Sequence, residues 1–529
     1  MGQKWWWLQI HCSSDQLNRN RRSREYLASN FNLDNRALAS EFKSLLKSTS
    51  MLAGTRFAQF FASLARVKIS ALILGTTGVG IVDQITFLTN KVSQFTTIGT
   101  AEAFVKQLAE SKSKDDAKSL IYSAFKSYAL VIFGFVVLSV GLMLGFKEEV
   151  TNYLFGEDEY IVYFFVALLT FPILVIHSFP FSILKAFKNV RAISRARIIT
   201  SAIQFVISIP LILIWELEGA VAYVPLAIAI DVAVLMWLAN KKCFQEYEIS
   251  FARIIKAPLR RDFLKELFLF SAFGLTVGVF LIIVELVTRS IVLDHLGVDA
   301  IGLYSPILLF ASIFTGFILP ALSTYLYPRF SEMKGHKEVS GLINDALRIG
   351  SFGLIPLLFI GIPYHKLIIV TFYSTEFLDA SNYLPYHLMG TSFFVWWYVF
   401  SQSLTPMGKI KVHGVFRLFY GSIDLLVTYW AVNRYGLIGW TLKFIVSPFV
   451  FFWVYMIYTR ITFDFSYRLS TLKLMAYVFI GGVSLTVLSQ MNDLTRNLNF
   501  VIGPLLLLGT WYIASKEERN ALLSKLRRK

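Results

Sequence analysis

The chain has 529 residues, of which 55% are hydrophobic and only 16% charged, and its mean hydropathy is +0.58. Soluble domains carry about a quarter charged residues, so this composition excludes a cytosolic multidomain enzyme and makes lipid the solvent. The net charge of +17 does not indicate a nucleic-acid partner, because Lys and Arg are confined to short segments between apolar runs. Two cysteines, Cys12 and Cys243, provide no disulfide framework, and the histidines lack metal-ligand spacing. No GxxxxGK[ST] phosphate loop occurs, so ATP hydrolysis by this polypeptide is not expected. No catalytic residue, metal or bound cofactor is expected.

Residues 1–43 are polar and basic after Trp5-Trp6-Trp7. Their apolar start is too short for a signal peptide. They read as a disordered cytoplasmic tail or as an extension upstream of the native start. Apolar stretches of spanning length then follow near 51–74, 79–101, 127–146, 160–184, 196–216, 219–240, 267–293, 300–327, 349–363, 383–407, 413–432, 435–458, 473–490 and 498–514. The expected fold is an all-α polytopic membrane protein with about fourteen spans. The stretch 363–378, with His365, Lys366 and Glu376, is expected to leave the membrane.

Loop charge sets the orientation. Alternate loops hold Lys185, Lys188, Arg191, Arg195 and Arg197, then Lys241, Lys242, Arg253, Lys256, Arg260, Arg261 and Lys265; the intervening loops are acidic, with Glu157, Asp158, Glu159, Asp294, Asp299 and Glu376. Positive loops stay inside, which places both termini in the cytoplasm.

The chain also repeats. Leu74-Gly75-Thr76-Thr77-Gly78-Val79-Gly80-Ile81 matches Leu296-Gly297-Val298-Asp299-Ala300-Ile301-Gly302-Leu303 without a gap, and Gly219-Ala220-Val221-Ala222-Tyr223 matches Gly436-Leu437-Ile438-Gly439-Trp440. Each pair falls in a turn on the outer side. Six spans per unit give both copies the same orientation, with a cavity between the halves. The expected organisation is therefore a six-helix bundle at 44–240 and a cytoplasmic linker at 241–266. A second six-helix bundle follows at 267–460, then two additional helices within 461–515 and a basic tail at 516–529. In the linker, Phe251-Ala252-Arg253-Ile254-Ile255-Lys256 has the mixed character of a surface-lying helix, or of a plain linker obeying the charge bias.

Ionisable groups within spans cost about 2.5–3.5 kcal/mol each on insertion scales and usually face a cavity or a partner. They are Arg56, Arg66, Lys68, Asp83, Lys91, Asp231, Glu285, Arg289, Asp424 and Lys443. Arg66 and Lys68 precede Gly75 by nine and seven residues, and Arg289 precedes Gly297 by eight. Pseudo-symmetry would aim these cations, with Arg56 on the same helix face as Arg66, into one central cavity. A basic cavity in a low-dielectric wall selects an anion, and guanidinium suits phosphate. Alternatively Glu285 and Arg289, four apart, neutralise each other. Asp83, Asp231 and Asp424 are candidates for ion coupling or for charge pairs with Lys91, Lys443 or an arginine.

Arg66-Val67-Lys68-Ile69, Leu74-Gly75 and the Gly78-Val79-Gly80 turn resemble the opening of Wzx-type polysaccharide-unit flippases of the multidrug/oligosaccharidyl-lipid/polysaccharide (MOP) exporter superfamily. Gly302-Leu303-Tyr304 and Tyr327-Pro328-Arg329-Phe330-Ser331 extend the resemblance through 44–460. It implies two rocking six-helix bundles around a central cavity. It implies a substrate too: oligosaccharide on undecaprenyl diphosphate, moved between leaflets of the bacterial inner membrane in O-antigen-like or lipopolysaccharide synthesis. A proton or sodium gradient would drive transport, with membrane lipid and a polysaccharide polymerase or ligase complex as partners. The two extra helices resemble those of lipid II flippases, the second reading. Drug exporters would need an acidic cavity, and a glycan polymerase or ligase would need a substantial outer loop.

Overall fold

The computed structural model describes residues 62–91, 93–94, 117–155, 160–187, 189–245, 250–333, 335–491 and 493–514, with isolated positions at 59, 104–105, 107–108 and 518–519. The tail at 1–43 and Arg56 lie outside the described residues. Contacts divide the chain into Met1–Gln59 and a compact unit, Phe60–Lys529, that carries every helix named below.

No strand occurs among the described residues. In lipid each backbone N–H and C=O must find its partner within its own segment, so these apolar runs can only be helices. Eleven long helices follow one another: α1 Ala62–Lys91, α2 Ala117–Gly145, α3 Ile161–Ala186, α4 Val190–Ala239, α5 Arg261–Glu332, α6 His336–Gly361, α7 Leu384–Leu404, α8 Ile410–Tyr435, α9 Leu437–Phe463, α10 Leu469–Gln490 and α11 Asp493–Ile513. Among the described residues, nine helices are long and apolar enough to cross a membrane. Three long helices are broken by one residue at positive φ: Gly75 (+62°) in α1, Glu216 (+44°) in α4 and Gly297 (+78°) in α5. Each break divides a helix into two rods, so fourteen rods result and the chain is an all-α polytopic membrane protein.

The breaks lie in the repeated turns. Gly75 and Gly297 occupy equivalent positions and both adopt a conformation that costs glycine nothing. For the second repeated pair the structure shifts the register by three. Glu216 (φ +44°, ψ −118°) corresponds to Gly436 (φ +60°, ψ −132°), and Gly219 then corresponds to Gly439. A Cβ on either of these later glycines would lie 2.0 Å from a carbonyl oxygen eight residues earlier, Leu211 or Ala431. Glu216 thus holds a strained backbone where its counterpart is glycine. Glu216→Gly should raise stability by about 1 kcal/mol, read from thermal unfolding in detergent.

After α6, a short helix, His365–Phe372, and a 3-10 turn, Thr375–Asn382, fold back onto the bundle. His365, Tyr373 and Phe377 are buried there. Lys68 Nζ donates to the Val370 carbonyl at 2.6 Å and Ser374 Oγ to that of Ala71 at 3.4 Å, so this segment packs against α1.

The last two helices are tied to α6. In the connection between α9 and α10, Asn344 donates to the Ser466 carbonyl at 2.9 Å and accepts from the Arg468 amide at 2.8 Å. Arg348, buried, donates in a fork to both carboxylate oxygens of Glu518 at 2.8 and 2.6 Å. Such bidentate charged bonds fix geometry as well as adding energy.

Candidate functional site

The rod after Gly75 in α1 packs against both rods of α5, meeting the later one near the breaks and the earlier one beyond them, and three layers of contact join them. Nearest the breaks, Gly80 and Gly302 meet backbone to backbone: a Cβ on Gly302 would stand 1.8 Å from the Thr76 oxygen, and one on Gly80 2.5 Å from that of Val298. Thr77 also hydrogen-bonds Asp299. Small residues let membrane helices approach this closely. Next, Arg289 Nη1 donates to Asp83 Oδ2 at 2.7 Å and to Gln84 Oε1 at 2.8 Å, with its guanidinium carbon 4.0 Å from the centre of the Phe87 ring. Deepest, Lys91 pairs with Glu285.

Two of these layers line a cavity of about 440 Å³. Its charged walls are Lys91, Glu285, Arg289, Arg417, Asp424 and Lys443, beside Phe87, Tyr420, Trp440 and Phe444. Lys443 and Asp424 pair at 2.8 Å and are only 8% and 9% exposed, so each carries the other's desolvation cost. Arg417 forms no ion pair among the described residues. Four cations face two acids here, and Arg417 is the one whose charge is uncommitted.

Arg66 lines a different cavity, of about 270 Å³, with Thr86, Asn90 and Tyr223. Its Nη1 donates to Tyr223 Oη at 2.6 Å, and the guanidinium stands 5.0 Å from that ring's centre. Tyr223 and Lys443 each stand seven residues beyond a break, at Glu216 and Gly436. Equivalent helices thus put an arginine–tyrosine contact in one half and a lysine–aspartate pair in the other.

Of the residues singled out from sequence, the structure gathers Lys91, Glu285, Arg289, Asp424 and Lys443 into one cavity and places Asp83 behind Arg289. Arg66 sits in the second cavity, and Lys68 lines neither, being held by the Val370 carbonyl. Asp231 pairs with His177 at 2.7 Å. Glu285 and Arg289 do not pair with each other, although they are four apart; each reaches across to α1. Arg417 was not singled out from sequence. It shares a face of α8 with Gly421 and Asp424, at i, i+4 and i+7, and that spacing was the available signal. No group of three or more His, Cys, Asp or Glu side chains able to hold a metal ion occurs among the described residues.

Residues 45–334 match the family described as polysaccharide biosynthesis protein. A Shigella flexneri protein named as an O-antigen transporter is 21% identical over 371 residues, covering 68% of this chain and 85% of its own. Among solved structures, the lipid II flippase MurJ in an inward closed conformation matches with TM-score 0.66 and 16% identity, covering 90% of this chain and 100% of its own. An inward-facing multidrug resistance MATE family transporter of the MOP superfamily matches with TM-score 0.61 and 13% identity, covering 77% and 94%. The chain therefore belongs to the polysaccharide biosynthesis protein family, and it shares its fold with the solved lipid II flippase and MATE transporter structures.

Proposed function

We propose that this chain is a flippase, moving oligosaccharide units linked to undecaprenyl diphosphate from the cytoplasmic to the periplasmic leaflet by alternating access. The observation that supports this best is the cation excess of the larger cavity. Lys91 and Lys443 already hold Glu285 and Asp424, Arg289 holds Asp83, and Arg417 is left to receive an anion. A guanidinium accepts a phosphoryl group in a forked geometry, whereas an organic cation would be repelled. Arg66 offers a second donor in the neighbouring cavity, and Lys68 and Arg56 remain assigned to the same basic path. The binding step is noncovalent, with sugars and phosphates in the cavity and the isoprenoid tail in lipid.

The halves proposed to rock are 44–240 and 267–460, joined by the linker at 241–266, with 461–515 attached to the second. Positive loops place both termini in the cytoplasm and the Gly75–Gly297 end at the periplasmic face of the inner membrane. Coupling to a proton or sodium gradient is assigned to the acids within the spans, Asp83, Asp231 and Asp424. A polysaccharide polymerase or ligase would take the product.

Flipping of fluorescent undecaprenyl-diphosphate oligosaccharide in proteoliposomes tests this reading. Arg417→Ala should cut the rate by about tenfold to a hundredfold while leaving thermal stability unchanged, because it removes one charge-assisted bond and strands no acid. Arg289→Ala should cut both, since Asp83 loses its partner, and Arg66→Ala should cut flipping alone. Wild-type rates that ignore the added substrate would reject the proposal. Lipid II is the second reading, favoured by a fold likeness that covers 90% of this chain, and transport of lipid II but not of the oligosaccharide would select it.

A further inference from the structure

The linker carries a feature that translocation does not use. Between α4 and α5 the short helix Phe251–Lys256 lies across the start of α2, and a separate cavity of about 340 Å³ opens between them. Its walls are Ser119 and Tyr122 of α2 and Arg253, Lys256, Ala257 and Pro258 of the linker. The linker is pinned in place. The Ser250 amide donates to Tyr122 Oη at 3.3 Å, and Lys126 Nζ donates to the carbonyls of Ile255 at 2.8 Å and Ala257 at 2.7 Å. Ile254 and Ala257 are buried against the bundle.

The other side of this short helix is unusual. Ile255 is 74% exposed and Leu259 is 44% exposed, and they alternate with Arg253, Lys256 and Arg260. Arg260 has a weak pair with Asp262 at 3.7 Å, but the side chains of Arg253 and Lys256 form no ion pair or hydrogen bond among the described residues. Lys126 brings a further ammonium to the same end of the helix, where the chain's last carbonyls favour it. Large exposed apolar side chains beside cations, on a segment joining two membrane rods, suit the boundary between headgroups and acyl chains.

We infer that this cavity is a binding site for an anionic glycerophospholipid of the cytoplasmic leaflet. Arg253 and Lys256 would hold the phosphate, the hydroxyls of Ser119 and Tyr122 would meet its oxygens or glycerol, and Ile255 and Leu259 would lie along an acyl chain. A zwitterionic lipid presents the same phosphate, but its ammonium or choline group must face the cations, so it binds less well. Bound there, the lipid bridges α2 of one half to the linker that leads into the other.

Native mass spectrometry of the full chain in detergent, titrated with phosphatidylglycerol or phosphatidylcholine, tests the inference without any transport measurement. Phosphatidylglycerol should bind about tenfold more tightly, and added salt should erode the difference. Arg253→Ala with Lys256→Ala should abolish the preference with unfolding temperature unchanged, since both side chains are exposed and form no ion pair among the described residues; Arg253→Lys with Lys256→Arg should retain it. A preference that survives the alanine pair would overturn the proposal. So would undecaprenyl phosphate displacing phosphatidylglycerol from this site at lower concentration, which would make it a port for the isoprenoid lipid. Inorganic phosphate competing as well as the lipid would reduce it to an ion site.

Discussion

Gly302→Ala should cost about 3 kcal/mol or more and reduce transport by over tenfold, the largest effect expected of any single methyl group in this chain. The added Cβ would stand 1.8 Å from the Thr76 oxygen, 2.8 Å from its carbon and 2.9 Å from the Gly80 nitrogen. All three are backbone atoms, so no side chain can turn aside and one helix must move. The displacement opens the contact that also holds Thr77 to Asp299. A single cysteine at Thr77 should therefore label faster with a membrane-impermeant maleimide in the Gly302→Ala background. Gly141→Ala is the matched control. Nothing lies within 4 Å of a Cβ there, and replacing a mid-helix glycine should leave stability unchanged or raise it by about 1 kcal/mol. Equal losses from both substitutions would show that the close approach is not what holds the two helices.

Lys443→Met should destabilise the protein by about 3–5 kcal/mol, because it leaves Asp424 buried and unpaired. Both members are nearly inaccessible, and the 2.8 Å bond between α8 and α9 is the carboxylate's partner within the cavity wall. The double variant Asp424→Asn, Lys443→Met should recover most of that loss, since two neutral side chains cost far less to bury than one charge. Thermal unfolding in detergent reads the stability of all three proteins. Flipping by the recovered double variant then separates roles. Transport restored with stability makes the pair a packing device, whereas a stable protein that fails to transport places Lys443 among the groups that meet the substrate.

Sequence periodicity made much of this architecture legible. Spans of apolar residues and alternating loop charge each record a large free-energy bias, and the repeated glycines at Gly75 and Gly297 record a backbone geometry that other residues resist. The second repeat was read three positions out of register because its first member is Glu216, a residue that hides the turn. Partners were less legible. Asp83 and Arg289 are 206 residues apart, and no local rule connects them. Where a local rule did apply, to Glu285 and Arg289, packing against α1 gave each a partner of its own. Arg417 escaped notice because a lone cation near a span boundary reads as snorkelling, and only the folded chain shows that it lines the cavity.

The contact of Gly80 with Gly302 has a mechanical corollary. The α1 rod after Gly75 touches the later rod of α5 at Gly302 and holds the earlier rod by ion pairs at increasing distance from that point, so it swings as a lever about a fulcrum. At a rise of about 1.5 Å per residue, Asp83 lies about 4.5 Å along α1 from Gly80 and Lys91 about 16 Å. A tilt of about 20° would stretch the first bond by roughly 1.5 Å and the second by roughly 6 Å. The Lys91–Glu285 pair would then part while Arg289 still reaches Asp83, so the cavity gains its free charges in sequence, beginning at the end farthest from the pivot.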